Sequence, residues 1–321
     1  MKKTYKYVIF SPYFGKLPNN FNLWLYSCSF NREFMFIVFT DDDTKYSTPQ
    51  NVTIVNISFD KFRSYVQEKF NFNISLKTPY KLCDYKPSYG YIFSEYLNNC
   101  EYWGYCDLDL IFGNIKNFLP SKDYYKISYL GHFSLYKNCK QINELFMFKQ
   151  KNVLNYIDIL SNEEHFGFDE INDYSINSIF KVNNIDIYNY NAYVADVDCR
   201  RDRLFIVKYD GERFKFDKNE KLFIFDYGSI YSFDVNKKNI DQEYAYVHFQ
   251  KRKMINKVTN LNRFVINYNS FTNYNIMDNI DKLLISRKKN IIKIDYIYRG
   301  VKRRIKRYLI IKKILLNRKV R

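Results

Sequence analysis

The chain has 321 residues, enough for one large or two modest domains, and its 46% apolar and 20% aromatic residues predict a globular protein. Its net charge of +17 is uneven, because residues 287–321 carry 15 Lys/Arg and one acid, which leaves +3 for residues 1–286. The six cysteines form no C-x-x-C pair and have no regular spacing, which argues against a zinc site and a disulfide framework and predicts reduced thiols in a cytosolic protein.

Strand and helix patterns alternate over the first 130 residues. In chain order the sequence predicts a strand, a helix, two strands, two helices and a strand: Tyr5–Phe10, Phe21–Phe30, Met35–Thr40, Val52–Val55, Phe59–Phe70, Pro87–Leu97 and Tyr102–Cys106. This alternation indicates an α/β protein with a mainly parallel sheet and helices on both faces.

Polar clusters follow three of the predicted strands. They contain Tyr13 after the first, Thr40, Asp41 and Asp42 after the second, and Asp107-Leu108-Asp109 after the last. Ligands of parallel sheets bind at the carboxyl ends of the strands, so these clusters predict a nucleotide site. Asp41 and Asp42 could contact a base or ribose there, or could be ordinary turn residues. The sequence contains no G-x-G-x-x-G after the first strand and no P-loop motif, which disfavours both of those nucleotide folds.

The Asp107/Asp109 pair is the most informative feature of the chain. In an extended backbone, residues two apart point to the same side, so the two carboxylates can bind one hard cation such as Mg²⁺ or Mn²⁺. Asp41/Asp43 and Asp196/Asp198 have the same spacing. The apolar strand Tyr102–Cys106 directly before Asp107 makes the pair at 107 and 109 the predicted metal site.

The basic C-terminal segment predicts a second kind of contact. Its basic residues interleave with seven apolar or aromatic ones: Ile305, Tyr308, Leu309, Ile311, Ile314, Leu315 and Leu316. This pattern is typical of a basic amphipathic helix on an anionic membrane surface, although a solvated tail is the alternative. RNA binding is disfavoured, since no nucleic-acid motif accompanies the charge. No segment approaches the roughly 20 apolar residues of a transmembrane helix, and the apolar stretch at 7–10 is too short for a signal peptide.

Seven motifs in order resemble those of bacterial GT-A-type glycosyltransferases of surface-polysaccharide synthesis. They are Ser-Pro-Tyr-Phe-Gly (11–15), Phe-Thr-Asp-Asp (39–42), Tyr-Lys-Leu-Cys-Asp-Tyr-Lys-Pro (80–87), Trp-Gly-Tyr-Cys-Asp-Leu-Asp (103–109), Gly-His-Phe-Ser-Leu-Tyr (131–136), Phe-Asp-Glu (168–170) and His-Phe-Gln-Lys-Arg-Lys-Met (248–254). The resemblance implies a GT-A-like transferase domain over residues 1–255. The tail lies outside the resemblance, and its charge pattern predicts a helical, strongly basic extension over 256–321.

The resemblance also implies a nucleotide-sugar donor, often a UDP-sugar, and a divalent metal. By position, Asp109 would be the direct metal ligand, and Asp107 would contact the ribose or a metal-bound water. His248 would complete the metal's protein ligands, or could instead cap a strand in a polar pocket. The expected cofactor is Mn²⁺ or Mg²⁺, and imidazole favours Mn²⁺. The expected acceptor is a glycan or lipid-linked sugar at the inner face of the cell membrane, where the protein would be peripheral.

Further residues have two interpretations each. Lys251 and Arg252 could pair with the donor diphosphate or be surface charge. Asp84 and Lys86 could touch the nucleoside, or could belong to a helix N-terminus before Pro87.

Inverting transfer needs a carboxylate base, for which Asp169 and Glu170 are the candidates. Both acids could instead be favourable charges at the start of a helix. His132 could bind a sugar or be a half-buried structural histidine. The sequence leaves inverting and retaining chemistry open. It also leaves open a non-catalytic nucleotide-sugar-binding or membrane-scaffold protein.

Overall fold

Three β-sheets with helices packed around them form the protein. The computed structural model describes residues 4–237, 239–250, 252–274 and 293–319. Within these ranges the fold is mixed α/β, as the sequence predicts. The α-helices of the described residues are α1 (Phe21–Ser29), α2 (Phe59–Glu68), α3 (Tyr89–Ile92), α4 (Lys140–Asn143), α5 (Tyr156–Leu160), α6 (Ile176–Val182) and α7 (Ile294–Lys319).

The first sheet has seven strands. Across the sheet they are β3 (Val52–Asn56), β2 (Phe34–Thr40), β1 (Tyr7–Pro12), β4 (Tyr102–Cys106), β7 (Phe133–Lys137), β6 (Lys126–Ile127) and β8 (Ile187–Tyr188). Strands β3, β2, β1 and β4 are parallel, whereas β7 runs antiparallel to both of its neighbours. The chain therefore leaves β1 toward one edge of the sheet and returns at β4 on the other side of β1.

Two further sheets extend this core. The second contains β11 (Phe214–Phe216), β10 (Ile206–Tyr209), β9 (Val194–Val197), β15 (Tyr246–His248) and β5 (Leu110–Phe112). The third contains β14 (Asn239–Tyr244), β13 (Ser229–Asp234), β12 (Lys221–Asp226), β17 (Arg263–Ile266), β18 (Ser270–Asn273) and β16 (Ile255–Lys257). Both combine parallel and antiparallel pairs, so the predicted mainly parallel arrangement does not extend to them.

Both faces of the first sheet are covered, because β1 is apolar on each side. Val8 and Phe10 point into one core with Phe62 of α2, whereas Ile9 points into another with Trp24 of α1. Alternate strand residues face opposite sides, so a continuous apolar run is what a sheet buried between two helix layers requires.

The predicted helix Pro87–Leu97 is wrong in extent. A 3-10 helix covers Pro79–Ser88, and the α-helical conformation is limited to the single turn α3 before a second 3-10 helix at Ser94–Tyr96. Pro87 lies inside the first of these segments and supplies no backbone donor, which prevents a regular α-helix from passing through it.

The predicted division at residue 255 is also corrected. Strand β17 pairs with β12 and β18 pairs with β17, so residues 263–273 complete the third sheet rather than begin a helical extension. Among the described residues after these strands, the basic extension is the 26-residue helix α7. None of the helices in the described ranges combines the length and apolarity needed to cross a bilayer.

Candidate active site

The candidate site lies where β1 and β4 run side by side. Within the first sheet, β2 follows β1 on one side, whereas β6 and β7, which come after β4 in the chain, lie on the other side. The crevice at such a switch point is where α/β proteins bind ligands. Tyr13 follows β1 and Asp107 follows β4. Burial, and to a smaller extent the Asp109 carboxylate, raise the pKa of Tyr13.

Asp107, Asp109 and His248 converge at this crevice. The chain leaves β4 through the two aspartates and enters β5, which pairs with β15 so that Leu110 lies opposite His248. The Phe249 N–H donates to the Asp109 carbonyl at 3.0 Å, and His248 Nε2 lies 3.4 Å from Asp109 Oδ1. One potential ligand atom from each of the three residues lies within 4.8 Å of the others. Both carboxylates keep about a third of their side-chain surface exposed, so a ligand can reach them.

A second carboxylate orients His248. Strand β9 pairs with β15 and places Asp196 opposite His248, whose Nδ1 lies 2.7 Å from Asp196 Oδ1. Gln250 donates to the same oxygen at 2.6 Å. The Asp196 contact keeps a proton on Nδ1 and directs Nε2 toward Asp109. A histidine in this orientation can bind a metal through Nε2 once that nitrogen has lost its proton.

Two histidines stack beside the carboxylates. The rings of His132 and His248 lie 3.9 Å apart at 27°. Burial and the adjacent His248 lower the pKa of His132 to about 3, so this ring is neutral. Burial alone would lower the pKa of His248, but Asp109 and Asp196 raise it to about 10. His132 therefore lies buried against His248, and its sugar-binding role stays a prediction.

Lys86 connects Asp107 to a further acidic residue, Asp169. Its ammonium lies 2.7 Å from Asp107 Oδ1 and 3.1 Å from Asp169 Oδ2, and it donates to the Gly131 carbonyl at 2.7 Å. Burial would lower the pKa of Lys86, but Asp107 and Asp169 raise it well above its ordinary value. Lys86 thus lies beneath the Asp-x-Asp pair, not at a helix N-terminus.

The two candidate bases have different environments. Asp169 is buried, and burial raises its pKa to about 8 although the Lys86 cation opposes the shift. Glu170 is exposed. The turn before them is held by Asp84, whose carboxylate accepts hydrogen bonds from the N–H groups of Phe166, Gly167 and Phe168.

Asp84 is fully buried, so the predicted nucleoside contact is corrected. Its carboxylate also lies 2.7 Å from Lys81 Nζ. Four donors surround a carboxylate that no ligand can reach without opening the core. Asp84 therefore positions the Asp169 segment.

The residues predicted from the second strand shape a loop. Asp41 accepts from the Gly15 N–H at 2.6 Å, and Asp42 accepts from the Leu17 N–H at 2.8 Å. Thr40 is buried, and its hydroxyl accepts from the Asp42 N–H. These contacts agree with the turn alternative and fix the loop that carries Tyr13.

Comparison with protein-family models gives one match, over residues 9–275, to a family of unknown function designated DUF6625. The chain belongs to this family. The match runs from β1 to just beyond β18, so it includes every site residue described above and ends before α7. A search of curated proteins finds no match.

The DUF6625 match also includes the two basic residues expected at the donor diphosphate. Lys251 lies outside the described residues. The Arg252 guanidinium donates to the carbonyls of Asp202, Tyr268, Asp198 and Arg201 at 2.6–3.1 Å. Arg252 therefore holds the segment after β15 against residues 198–202 and Tyr268. The guanidinium is engaged in these contacts, so the predicted contact of Arg252 with the donor diphosphate is corrected.

Sequence reasoning missed Asp196 and the Lys86–Asp169 link. A signal for Asp196 was present, because Asp196/Asp198 repeats the Asp-x-Asp spacing. What the sequence did not show is the parallel pairing of β9 with β15 that brings Asp196 to His248 across 52 residues.

Proposed function

We propose that this protein is a metal-dependent glycosyltransferase that moves a sugar from a nucleotide-sugar, most simply a UDP-sugar, to a surface-polysaccharide or lipid-linked acceptor. The observation that carries the proposal is the convergence of Asp107, Asp109 and His248 at the β1/β4 crevice. Two carboxylates and an oriented imidazole, open to solvent on one side, form a site for a cation shared with a phosphorylated ligand.

The donor set fits Mn²⁺ or Mg²⁺, and the imidazole favours Mn²⁺. Asp109 and His248 Nε2 would be the ligands, and Asp196 fixes the imidazole orientation. Lys86 already holds one oxygen of Asp107, so Asp107 has one further oxygen to offer to the cation or to a ribose hydroxyl. A bound divalent cation supplies positive charge to the departing nucleoside diphosphate.

The chain contributes its own groups to the reaction. Tyr13 directly follows β1 at the crevice, on a loop that Asp41 and Asp42 hold in place, which suits a contact with the nucleotide. Lys86 offsets negative charge beneath the leaving diphosphate and holds Asp107 in position.

Of the two predicted bases, only Glu170 is exposed, so an acceptor hydroxyl can reach only that carboxylate without movement of the chain. Asp169 instead acts as a positioning residue through Lys86. A retaining reaction would need no such base.

Lipid-linked acceptors of surface polysaccharides are assembled at the inner face of the cell membrane, and we place the protein there as a peripheral protein. The charge supports this location, since residues 293–319 contain eleven Lys/Arg and one acid. Nucleic acid is not an expected partner.

The test combines binding and chemistry. Thermal stability is measured with UDP, GDP, CMP and dTDP, each with and without Mn²⁺, because a ligand at about 100 times its dissociation constant adds about 2.7 kcal/mol to the free energy of unfolding. We expect a shift with one nucleotide only when Mn²⁺ is present, together with slow metal-dependent hydrolysis of the matching nucleotide-sugar.

Asp109→Asn should abolish both effects and leave the unfolding temperature of the free protein nearly unchanged, because the side chain is partly exposed. Asp43→Asn is the matched control, since it alters an exposed Asp-x-Asp of the same spacing and should change neither. Normal hydrolysis by Asp109→Asn would refute the assignment. A shift without hydrolysis would indicate a nucleotide-sugar-binding protein instead.

A further inference from the structure

The C-terminal helix α7 has an inner apolar face that is already occupied. Four residues on it pack against the core that lies between α2 and α6: Ile310, Ile311, Ile314 and Leu315. Polar contacts tie the same side to the body, since Lys306 pairs with Glu164 and the Arg318 Nη1 donates to the Val153 carbonyl at 3.0 Å. The position of the helix on the body is therefore set by this face.

A second apolar face of α7 points away from the body. Six of its side chains are 49–67% exposed: Tyr298, Val301, Ile305, Tyr308, Leu309 and Leu316. Relative to Ile305, the other five lie at positions −7, −4, +3, +4 and +11. An α-helix repeats about every 3.6 residues, so they form one stripe along the helix. A contiguous apolar stripe of this length that is exposed to solvent indicates an interaction site.

The charged residues around the stripe indicate which class of partner fits it. Lys302, Arg304, Lys312 and Lys313 are exposed on α7 beside or within the stripe, and residues 293–319 have a net charge of +10. Apolar side chains with a basic border match the interfacial region of an anionic bilayer, where the stripe enters the acyl boundary and the cations meet lipid phosphates. Two copies of the helix would repel each other. A nucleic acid would leave the stripe in water.

We propose that the outer face of α7 docks the protein on an anionic lipid bilayer, with the helix lying in the membrane plane. This inference deepens the membrane location within the proposed function and narrows the sequence prediction. Ile311, Ile314 and Leu315, which the sequence assigned to the membrane face, serve the protein core instead. Lipid binding is measured without donor or acceptor, so its failure would leave the transferase proposal standing.

The experiment measures cosedimentation of the full chain with vesicles of equal parts phosphatidylcholine and phosphatidylglycerol, and with phosphatidylcholine alone. The stripe variant carries Ile305→Ser and Leu309→Ser. Its matched control carries Ile240→Ser and Ile255→Ser, which alter similarly exposed apolar residues on β14 and β16. A charge variant, Lys302→Gln with Lys312→Gln and Lys313→Gln, is compared with Lys61→Gln, Lys218→Gln and Lys257→Gln, which remove the same net charge from exposed positions elsewhere.

We expect the wild-type chain to bind the anionic vesicles and to bind phosphatidylcholine much more weakly. The stripe variant should bind at least about tenfold more weakly, and the charge variant roughly 100-fold more weakly, while both controls bind as wild type does. Circular dichroism checks that the variants keep their helix content. Equal binding by the stripe variant and its control would overturn the proposal. Self-association of the wild-type chain that the stripe substitutions abolish would also overturn the proposal. The same holds if the wild-type chain binds RNA but does not bind vesicles.

Discussion

Asp196→Asn tests the contact between Asp196 and His248, which the structure shows and the sequence did not predict. The substitution keeps the size of the side chain but removes the charge that lies 2.7 Å from His248 Nδ1. Both residues are buried, so water cannot replace the lost partner. Removing a carboxylate that orients a metal-binding histidine typically weakens metal binding by about 10–100-fold, which corresponds to about 1.4–2.7 kcal/mol. We expect a loss of this size in Mn²⁺ affinity.

The assay is titration of the purified protein with Mn²⁺, followed by the unfolding temperature at each concentration. The midpoint of the stabilisation should move to 10–100-fold higher Mn²⁺ for Asp196→Asn. Asp198→Asn is the control, because Asp198 is also buried and lies two residues away but pairs with Arg200 at 2.8 Å instead of His248. It should lower the unfolding temperature without moving the midpoint. An unchanged midpoint in Asp196→Asn would refute the orienting role.

Three further predictions concern the support beneath the site. Asp84→Ala should lower the free energy of unfolding by about 3–5 kcal/mol in urea denaturation, because it leaves Lys81 buried without its carboxylate; a loss below about 1 kcal/mol would contradict this account. Gly131→Ala places a methyl group 2.9 Å from Asp169 Oδ2 and should reduce transfer while Mn²⁺ affinity stays within threefold or so; unchanged turnover would speak against the Lys86–Asp169 support. The raised pKa of Asp169, about 8, means that its contribution to stability is complete below about pH 4 and is lost as pH rises toward 8. Asp169→Asn should therefore reduce the fall in the free energy of unfolding across that pH range. An unchanged pH profile of the free energy of unfolding would show that the buried Asp169 carboxyl does not cause this fall.

The strand before Asp107 was predictable because its signal is local. Tyr102–Cys106 is apolar on both faces, and the prediction matches β4 at both ends. The nearby helix was mispredicted since Pro87 and tertiary packing, rather than apolar periodicity, determine that segment. The strands at 263–273 were missed for a related reason: they are four residues long, too short for alternation to stand out.

The residues around the aspartates could not be predicted to the same degree. Lys86 and Asp169 are 83 positions apart, and nothing in their spacing indicates that Asp169 and Asp107 share the Lys86 ammonium group. Asp84 looked like a ligand-binding acid because buried and exposed aspartates have the same sequence signature. Burial distinguishes them, and burial depends on the fold.

The contacts of α7 connect the two proposals. The inner face of the helix touches the segment that leads into the site, since Lys306 pairs with Glu164 and Arg307 Nη2 lies 3.4 Å from His165 Nδ1. Four residues after His165 the same segment supplies Asp169, which holds Lys86 beneath Asp107. A bilayer bound to the outer face would therefore lie one helix diameter, about 10 Å, from the segment that supports the candidate metal site. If both proposals hold, a lipid-linked acceptor would extend only a short distance from the membrane to reach Glu170.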